Sequence, residues 1–315
     1  MIDWAATRVL LTGGAGFLGG AVAELLRTRG ARDVVIPRSK QFDLVDGAAV
    51  RRLMRDVAPD LVVHLAARIG GIAASRSRPA TFFYDNAMMG MQILHEAHAH
   101  GVSKVVAVSS VCAYPRTCPV PFREEDLWNG PPQPTHAGYG IAKRILSTQA
   151  EAYRAEHGMN IVVVCPTNLY GPRDNFNRET GHVIPAMLLE LERARRLDIG
   201  RVVFWGDGTP TRDFLYVDDC ALGIVLAVER FDDCGPINLG TGTGVSMDEL
   251  ARRIAALVGY HGEIAWDTTK PNGEARRIID VSRARELLGF EASTSLDEGI
   301  GRTYEWMLRH VSIDT

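Results

Sequence analysis

The stretch "TRVLLTGGAGFLGGAVAELLRTRG", Thr7 to Gly30, decides the fold. It opens as an apolar β-strand and closes as a helix that ends at Gly30, a residue suited to stopping one. Between them lie Gly13, Gly16 and Gly19. In a strand–turn–helix unit that spacing has a physical purpose. The first glycine allows a tight turn, the second lets backbone approach a pyrophosphate at the helix N-terminus, and the third lets helix and strand pack closely. Phe17 and Leu18 open the helix within the same loop. The pattern in this setting predicts a dinucleotide site.

The alternation continues outward. "DVVIP", "DLVVHLAA", "KVVAVSS" and "NIVVVCP" read as strands, and "AAVRRLMRDVAP", "NAMMGMQILHEAHAHG" and "YGIAKRILSTQAEAYRAEHG" as the helices between them. Strands that are apolar throughout are buried on both faces. The expected fold is α/β, a Rossmann-type doubly wound parallel sheet with a smaller, irregular α/β C-terminal domain. Residues 1–166 form the expected dinucleotide-binding domain, with 214–240 returning to it. Residues 167–213 and 241–315 form the expected substrate-binding domain. In the second half, "RVVFWGDGTPTRDFLYVDD" reads as two short strands around a loop. Ser246 with Glu249 three residues on reads as a capping box opening a helix.

The end of the second strand bears on which dinucleotide binds. An Asp or Glu there serves the ribose 2′-hydroxyl of NAD, and an arginine nearby suits the 2′-phosphate of NADP. This chain reads "IPRSKQFDL", with no acid at the strand end and with Arg38 and Lys40 available. The reading favours NADP(H) and keeps NAD(H) open. Asp43 follows as a candidate for the adenine pocket.

Composition excludes several classes. The 315 residues are 46% hydrophobic and 23% charged, with a formal net charge of -3. That balance is globular and offers no electrostatic footprint for nucleic acid or an anionic membrane. No apolar run is long enough to span a bilayer, and the start lacks a signal-peptide layout. The five cysteines have no metal spacing, so no metal site is expected. The expected setting is a reducing cytoplasm.

"VVAVSSVCAYP", Val105–Pro115, ends a strand with Ser110 and Cys112 two residues apart. A buried cysteine is ordinarily packing. "YGIAK" places Tyr139 and Lys143 at i and i+4, on one helix face. An ammonium beside a phenol favours the phenolate and suits the pair to acid–base work. His64, Cys165 and Cys220 read as structural, and Cys118 has no evident role.

Glycine loop, Ser110, Tyr139 and Lys143, in that order, resemble the extended short-chain dehydrogenase/reductase family, the NAD-dependent epimerases and dehydratases, over essentially the whole chain. "AARIGGI", "SSVCAYP", "PTNLYGPRDNF", "HVIPA", "WGDGTPTRDFLYVDD" and "TKPNG" are similar to its nucleotide-sugar 3,5-epimerase/4-reductase branch. The resemblance implies the roles that follow. Ser110 and Tyr139 hold and protonate the sugar C4 oxygen, and Lys143 binds the nicotinamide ribose and tunes Tyr139. Cys112 and His182 are base and acid for inversion at C3 and C5. Asn168, Arg212 and Lys270 contact the nucleotide-sugar, and two helices of the first domain build a homodimer. A thiol and an imidazole titrate close enough to neutrality for this chemistry. Members of the branch carry an arginine in the glycine loop where this chain has Ala15. Basic residues following "HVIPA" give way here to a stretch with Glu190, and "HAGYGIAK" replaces a bulkier approach to Tyr139. The nucleotide base therefore stays open. A nucleotide-sugar 4-epimerase, a simple 4-ketoreductase and a non-enzymatic dinucleotide sensor are the competing readings.

Overall fold

A computed structural model describes residues 2–70, 77–177, 180–270 and 272–313. Gly71 and Ile72 of "AARIGGI" and Pro271 of "TKPNG" lie outside the described residues. The chain opens with strand β1 (Arg8–Thr12), helix α1 (Phe17–Thr28), β2 (Asp33–Val35), α2 (Gly47–Val57) and β3 (Leu61–His64). It continues through α3 (Pro79–Ala99), β4 (Lys104–Val108), α4 (Ala137–His157) and β5 (Ile161–Pro166). These strands and β10 (Ile237–Leu239) form one parallel sheet in the order β10-β5-β4-β3-β1-β2. The chain reverses direction across the sheet at β1, between β2 and β3, which is where an open α/β sheet offers a crevice to a ligand.

Alternation along the buried strands builds two cores. Val9, Leu11, Leu61 and Val63 face one layer with Val22 and Leu26 of α1. Leu10 and Val62 face the other, with Leu53 of α2, Ile93 of α3 and Leu146 of α4. Each such aliphatic side chain contributes about 1.5–3 kcal/mol by leaving water. Helix α1 closes with a Schellman motif: Ala31 N donates to Leu26 O, Gly30 N donates to Arg27 O, and Gly30 sits at φ +93.

Helix α3 starts at Pro79, seven residues before the expected Asn86. Pro79 occupies the first turn, where a missing N–H costs nothing. Asn86 is buried inside the helix. Its side-chain nitrogen donates to Phe82 O and Arg68 O, so it ties the segment after β3 to the helix rather than capping it.

The second half holds β6 (Asn168–Tyr170), α5 (Val183–Arg196), β7 (Arg201–Trp205), β8 (Thr211–Arg212), β9 (Phe214–Tyr216) and α6 (Val217–Arg230). After β10 come β11 (Val245–Ser246), α7 (Met247–Val258), β12 (Glu263–Asp267), β13 (Arg276–Arg277), α8 (Ser282–Leu288) and α9 (Leu296–His310). The stretch expected to hold two strands holds three, β7 to β9. Its middle one pairs with the two-residue strands β11 and β13. The Ser246 hydroxyl does cap α7, accepting from Glu249 N at 3.1 Å. Cys220, Ile224 and Val228 of α6 join the first core, as do Ala284, Leu288 and Phe290. A third core gathers Tyr170, Leu188, Ile254 and Met307.

Candidate active site

The glycine loop lies against the segment that follows β3. Gly13 sits at φ +74, and a Cβ there would stand 2.7 Å from Ala66 N. A Cβ at Gly19 would stand 2.1 Å from Gly13 O, so only glycine lets α1 press on its own loop. Gly16 caps α1 without a side-chain partner, leaving first-turn N–H groups directed into the crevice. A groove of about 580 Å³ runs along Gly14, Ala15, Gly16 and Phe17 to Ile36, with Arg173 among its walls. This cradle suits a pyrophosphate. At the end of β2, Arg38 and Lys40 are exposed. The Asp43 carboxylate accepts from Val45 N at 3.0 Å, a turn bond within its own loop.

The 3₁₀ turn Val111–Ala113 follows β4 and begins at Ser110, whose Oγ accepts from Cys112 N at 3.2 Å. Helix α4 packs on this turn through Gly140, where a Cβ would stand 2.4 Å from Cys112 O. That approach sets Tyr139 beside Ser110 and Cys112. Lys143 is buried, donates from Nζ to Val108 O at 2.9 Å, and sits 6.0 Å from the centre of the Tyr139 ring.

The spacing of Tyr139 and Lys143 predicts a lowered phenol pKa, and here the structure differs. Burial raises it, the neighbouring Cys112 charge raises it further, and the bond to Ser110 only partly opposes them. Burial also lowers Lys143 to about 8, with Cys165 opposing. An ammonium this desolvated and committed to a carbonyl does not outweigh the burial of the phenol. Tyr139 therefore keeps its proton near neutrality, which is the form that can donate one.

Cys112 goes the other way. Burial pushes the thiol up, but Arg277 beside it, the His136 hydrogen bond and charge, and the Ser110 hydroxyl bring it down to about 6. Arg277 Nη1 donates to Cys112 Sγ at 3.7 Å, and its Nη2 lies 3.4 Å from His136 Nε2. His182 stands at the N-terminus of α5, its Nδ1 2.8 Å from Asp174 Oδ1. The Asp174 bond raises the imidazole pKa, burial opposes it, and the charges of Asp174 and Cys112 add to the rise. The arrangement brings a thiol lowered to about 6 and an imidazole raised by its carboxylate together with a phenol that keeps its proton. The first can remove a proton, and the other two can return one.

Arg212 of β8 borders this pocket. Its Nη1 donates to Thr211 O and Glu274 O, and burial followed by the charge of Arg277 lowers it to about 10. The Asn168 amide donates to Asp213 O at 2.8 Å. Lys270 is exposed and lies over the Trp205 ring, 5.9 Å from its centre, so its contact is with that indole. His64 is buried with Nδ1 2.8 Å from Thr12 Oγ1, and burial with Lys143 nearby lowers it to about 3. A second groove, about 500 Å³, is lined by Arg123, Glu151, Asp280 and Glu286 and holds none of these residues.

Four residues of the pocket were not singled out in the sequence: His136, Asp174, Glu274 and Arg277. Asp174 carried a usable signal, lying eight residues before His182 between the "YGP" turn and "HVIPA". Arg277 carried none, being 165 residues from Cys112 in a two-residue strand.

The family model described as "NAD dependent epimerase/dehydratase family" matches residues 9–240, spanning the glycine loop, Ser110, Tyr139, Lys143 and His182. The chain belongs to this family. Its members therefore supply the relevant comparisons, all of them nearly full length. The GDP-L-fucose synthase of Escherichia coli K12 is 37% identical over 312 residues, covering 96% of this chain and 97% of that protein. A GDP-6-OMe-4-keto-L-xylo-heptose reductase from C. jejuni superposes with a TM-score of 0.91 at 26% identity, covering 98% and 99% of the two chains. A GDP-L-fucose synthetase from Naegleria fowleri, solved bound to NADP, gives 0.88 at 29% identity, covering 96% and 94%. The chain is an enzyme of this family, with a cradle for a nicotinamide dinucleotide. No helix among the described residues is long and apolar enough to cross a membrane.

Proposed function

We propose that the chain is a nucleotide-sugar 3,5-epimerase/4-reductase acting on a 4-keto-6-deoxy sugar nucleotide, with NADP(H) as cofactor. The observation that carries this reading is that Cys112, its thiol brought down by Arg277, and His182, its imidazole raised by Asp174, adjoin Ser110, Tyr139 and Lys143. A simple reductase needs only the last three.

A 4-keto group acidifies the hydrogens on C3 and C5. The Cys112 thiolate removes one such proton, and the resulting enolate oxygen is held by the hydroxyls of Ser110 and Tyr139. The His182 imidazolium, oriented by Asp174, returns a proton to the opposite face. Once the sugar is inverted, Tyr139 donates its proton to the C4 oxygen. The nicotinamide supplies the hydride for C4 when bound. Gly13, Gly16 and Gly19 cradle its pyrophosphate, Asp43 borders its adenine, and Lys143 holds its ribose. Arg38 and Lys40 meet the 2′-phosphate, since the loop offers only Ala15. Arg212 and Asn168 face the nucleotide-sugar, with Lys270 at the outer edge beside Trp205. The relatives' names favour a GDP-sugar. Residues 1–166 with 214–240 serve the cofactor and the remainder the sugar. The outer face of α3, where Phe83 and Tyr84 are exposed, together with α4 forms the face of a homodimer in the cytoplasm.

The test is to incubate the protein with GDP-4-keto-6-deoxy-mannose and NADPH. Nicotinamide oxidation with inversion at both carbons supports the reading. Oxidation without inversion supports the second reading, a 4-ketoreductase, which the similarity to the heptose reductase favours.

A further inference from the structure

Cys112 is half-buried, and a buried thiol is ordinarily neutral. The residues around it are unusual for mere packing. Arg277 is itself buried, in β13, whose register sets it directly beside Arg212 of β8. Two buried guanidiniums side by side repel, and Glu274 offsets part of that cost. The Glu274 carboxylate accepts from Arg277 Nε at 2.6 Å and pairs with Nη2 at 2.5 Å. A fork held this way has few orientations left, and Nη1 is the end directed at the sulfur, 3.7 Å away. His136, last residue before α4, has Nε2 3.4 Å from Arg277 Nη2 and Nδ1 3.2 Å from Thr135 Oγ1.

We propose that Arg277, clamped by Glu274 and joined by His136, is the positioning residue that holds the Cys112 sulfur as a thiolate before the sugar arrives. The inference rests on the reading of Cys112 as the base and says what makes it one. Among the described residues, the charged groups facing the sulfur come from three places. Arg277 and Arg212 come from the β8–β13 pair, His136 from the start of α4, and His182 from the start of α5. Among the described residues two carboxylates adjoin this group: Asp174 is held by His182, and Glu274 is spent on Arg277 and, through its backbone oxygen, Arg212. Ser110 and Tyr139 add hydroxyls. The two guanidiniums, charged at every pH of interest, outweigh the single Glu274 carboxylate beside them, so the local field favours S⁻. The proton released goes to solvent, and no redox step is involved.

The test needs no substrate. Iodoacetamide alkylates a thiolate, forming an S–C bond and releasing iodide. Its rate at Cys112 can be followed against pH in the full-length protein by mass spectrometry of the Cys112 peptide, which separates it from the other four cysteines. The wild-type midpoint is expected near 6. Arg277→Met should move it toward the ordinary thiol value of about 8.5 and slow alkylation at pH 6.5 by roughly five- to tenfold. That loss is smaller than the loss of thiolate because the more basic sulfur is the better nucleophile. Arg277→Lys, which keeps the charge, should stay closer to wild type, an ordering that a purely structural role would not produce. If Arg277→Met fails to fold, His136→Gln carries the test, with a smaller upward move. A wild-type midpoint near 8.5 overturns the proposal, as does an unmoved midpoint in the variants that fold. The functional reading fails differently: a low, Arg277-dependent midpoint without proton exchange into any 4-ketosugar would retain the tuned thiol and reject the epimerase.

Discussion

The glycine loop and the Cys112 pocket lie in one crevice and are made in opposite ways. The loop is backbone. Seven consecutive residues, Gly13 to Gly19, set its shape, and what matters at its key positions is the absence of a side chain. The pocket is made of side chains. Cys112, His136, His182, Arg212 and Arg277 come from separate segments and act through charges that meet only in the folded chain. A local device can be read from its spacing. A device built by convergence shows in sequence only where single residues carry a chemical signature.

The comparison can be broken most sharply at Tyr139, the reductive member of the pocket. Tyr139→Phe should lower 4-ketosugar reduction by about 10²–10⁴-fold while leaving cofactor affinity nearly unchanged, as measured by NADPH oxidation and by titration. A comparable loss of affinity would mean that pocket and loop are not separable. Gly19→Ala probes the loop in return. The new Cβ would meet backbone and not a flexible side-chain end. A strain of about 1–3 kcal/mol should cost roughly ten- to a hundredfold in cofactor affinity, read by fluorescence titration. Unchanged affinity would sink the account of the cradle.

Arg38→Ala should cost about tenfold in NADPH affinity and almost nothing for NADH, since one charged contact to a phosphate is at stake. Equal losses, or none, would place the 2′-phosphate elsewhere. The smallest effect is in the pH profile. Proton exchange needs Cys112 ionised, so it should rise with pH through about 6. Inversion also needs His182 protonated, and its raised pKa carries that form above the ordinary 6.5 before it is lost at higher pH. Inversion should be maximal between those limits. His182→Asn should remove the alkaline limb and leave the acid one, as exchange with little inversion.

The legible parts follow the same division. The parallel sheet could be read because "VLLT", "LVVH", "VVAV" and "IVVVC" are buried on both faces. Tyr139 and Lys143 could be paired because helical geometry fixes i,i+4 neighbours. Three things were misread or missed for identifiable reasons. Asn86 looked like a helix start but serves a tertiary bond. The Tyr139 phenol was expected to be lowered by its lysine, but burial, which spacing does not report, dominates it. Arg277 reaches Cys112 through strands too short to show any periodicity.

The central claim is that proton abstraction by Cys112 and proton donation by Tyr139 are separate acts in one pocket. Solvent deuterium tests it directly. In D₂O with cofactor withheld, the wild type should wash label into C3 and C5 of the 4-ketosugar. Tyr139→Phe, which leaves Ser110 on the enolate oxygen and Cys112 in place, should lose less of that exchange than Cys112→Ser. Cys112→Ser, whose hydroxyl is far too basic to ionise near neutrality, should lose it by about 10²–10⁴-fold yet still reduce the uninverted sugar when NADPH is added. Deuterium entering at the wild-type rate in Cys112→Ser would contradict the account and leave the thiol as packing.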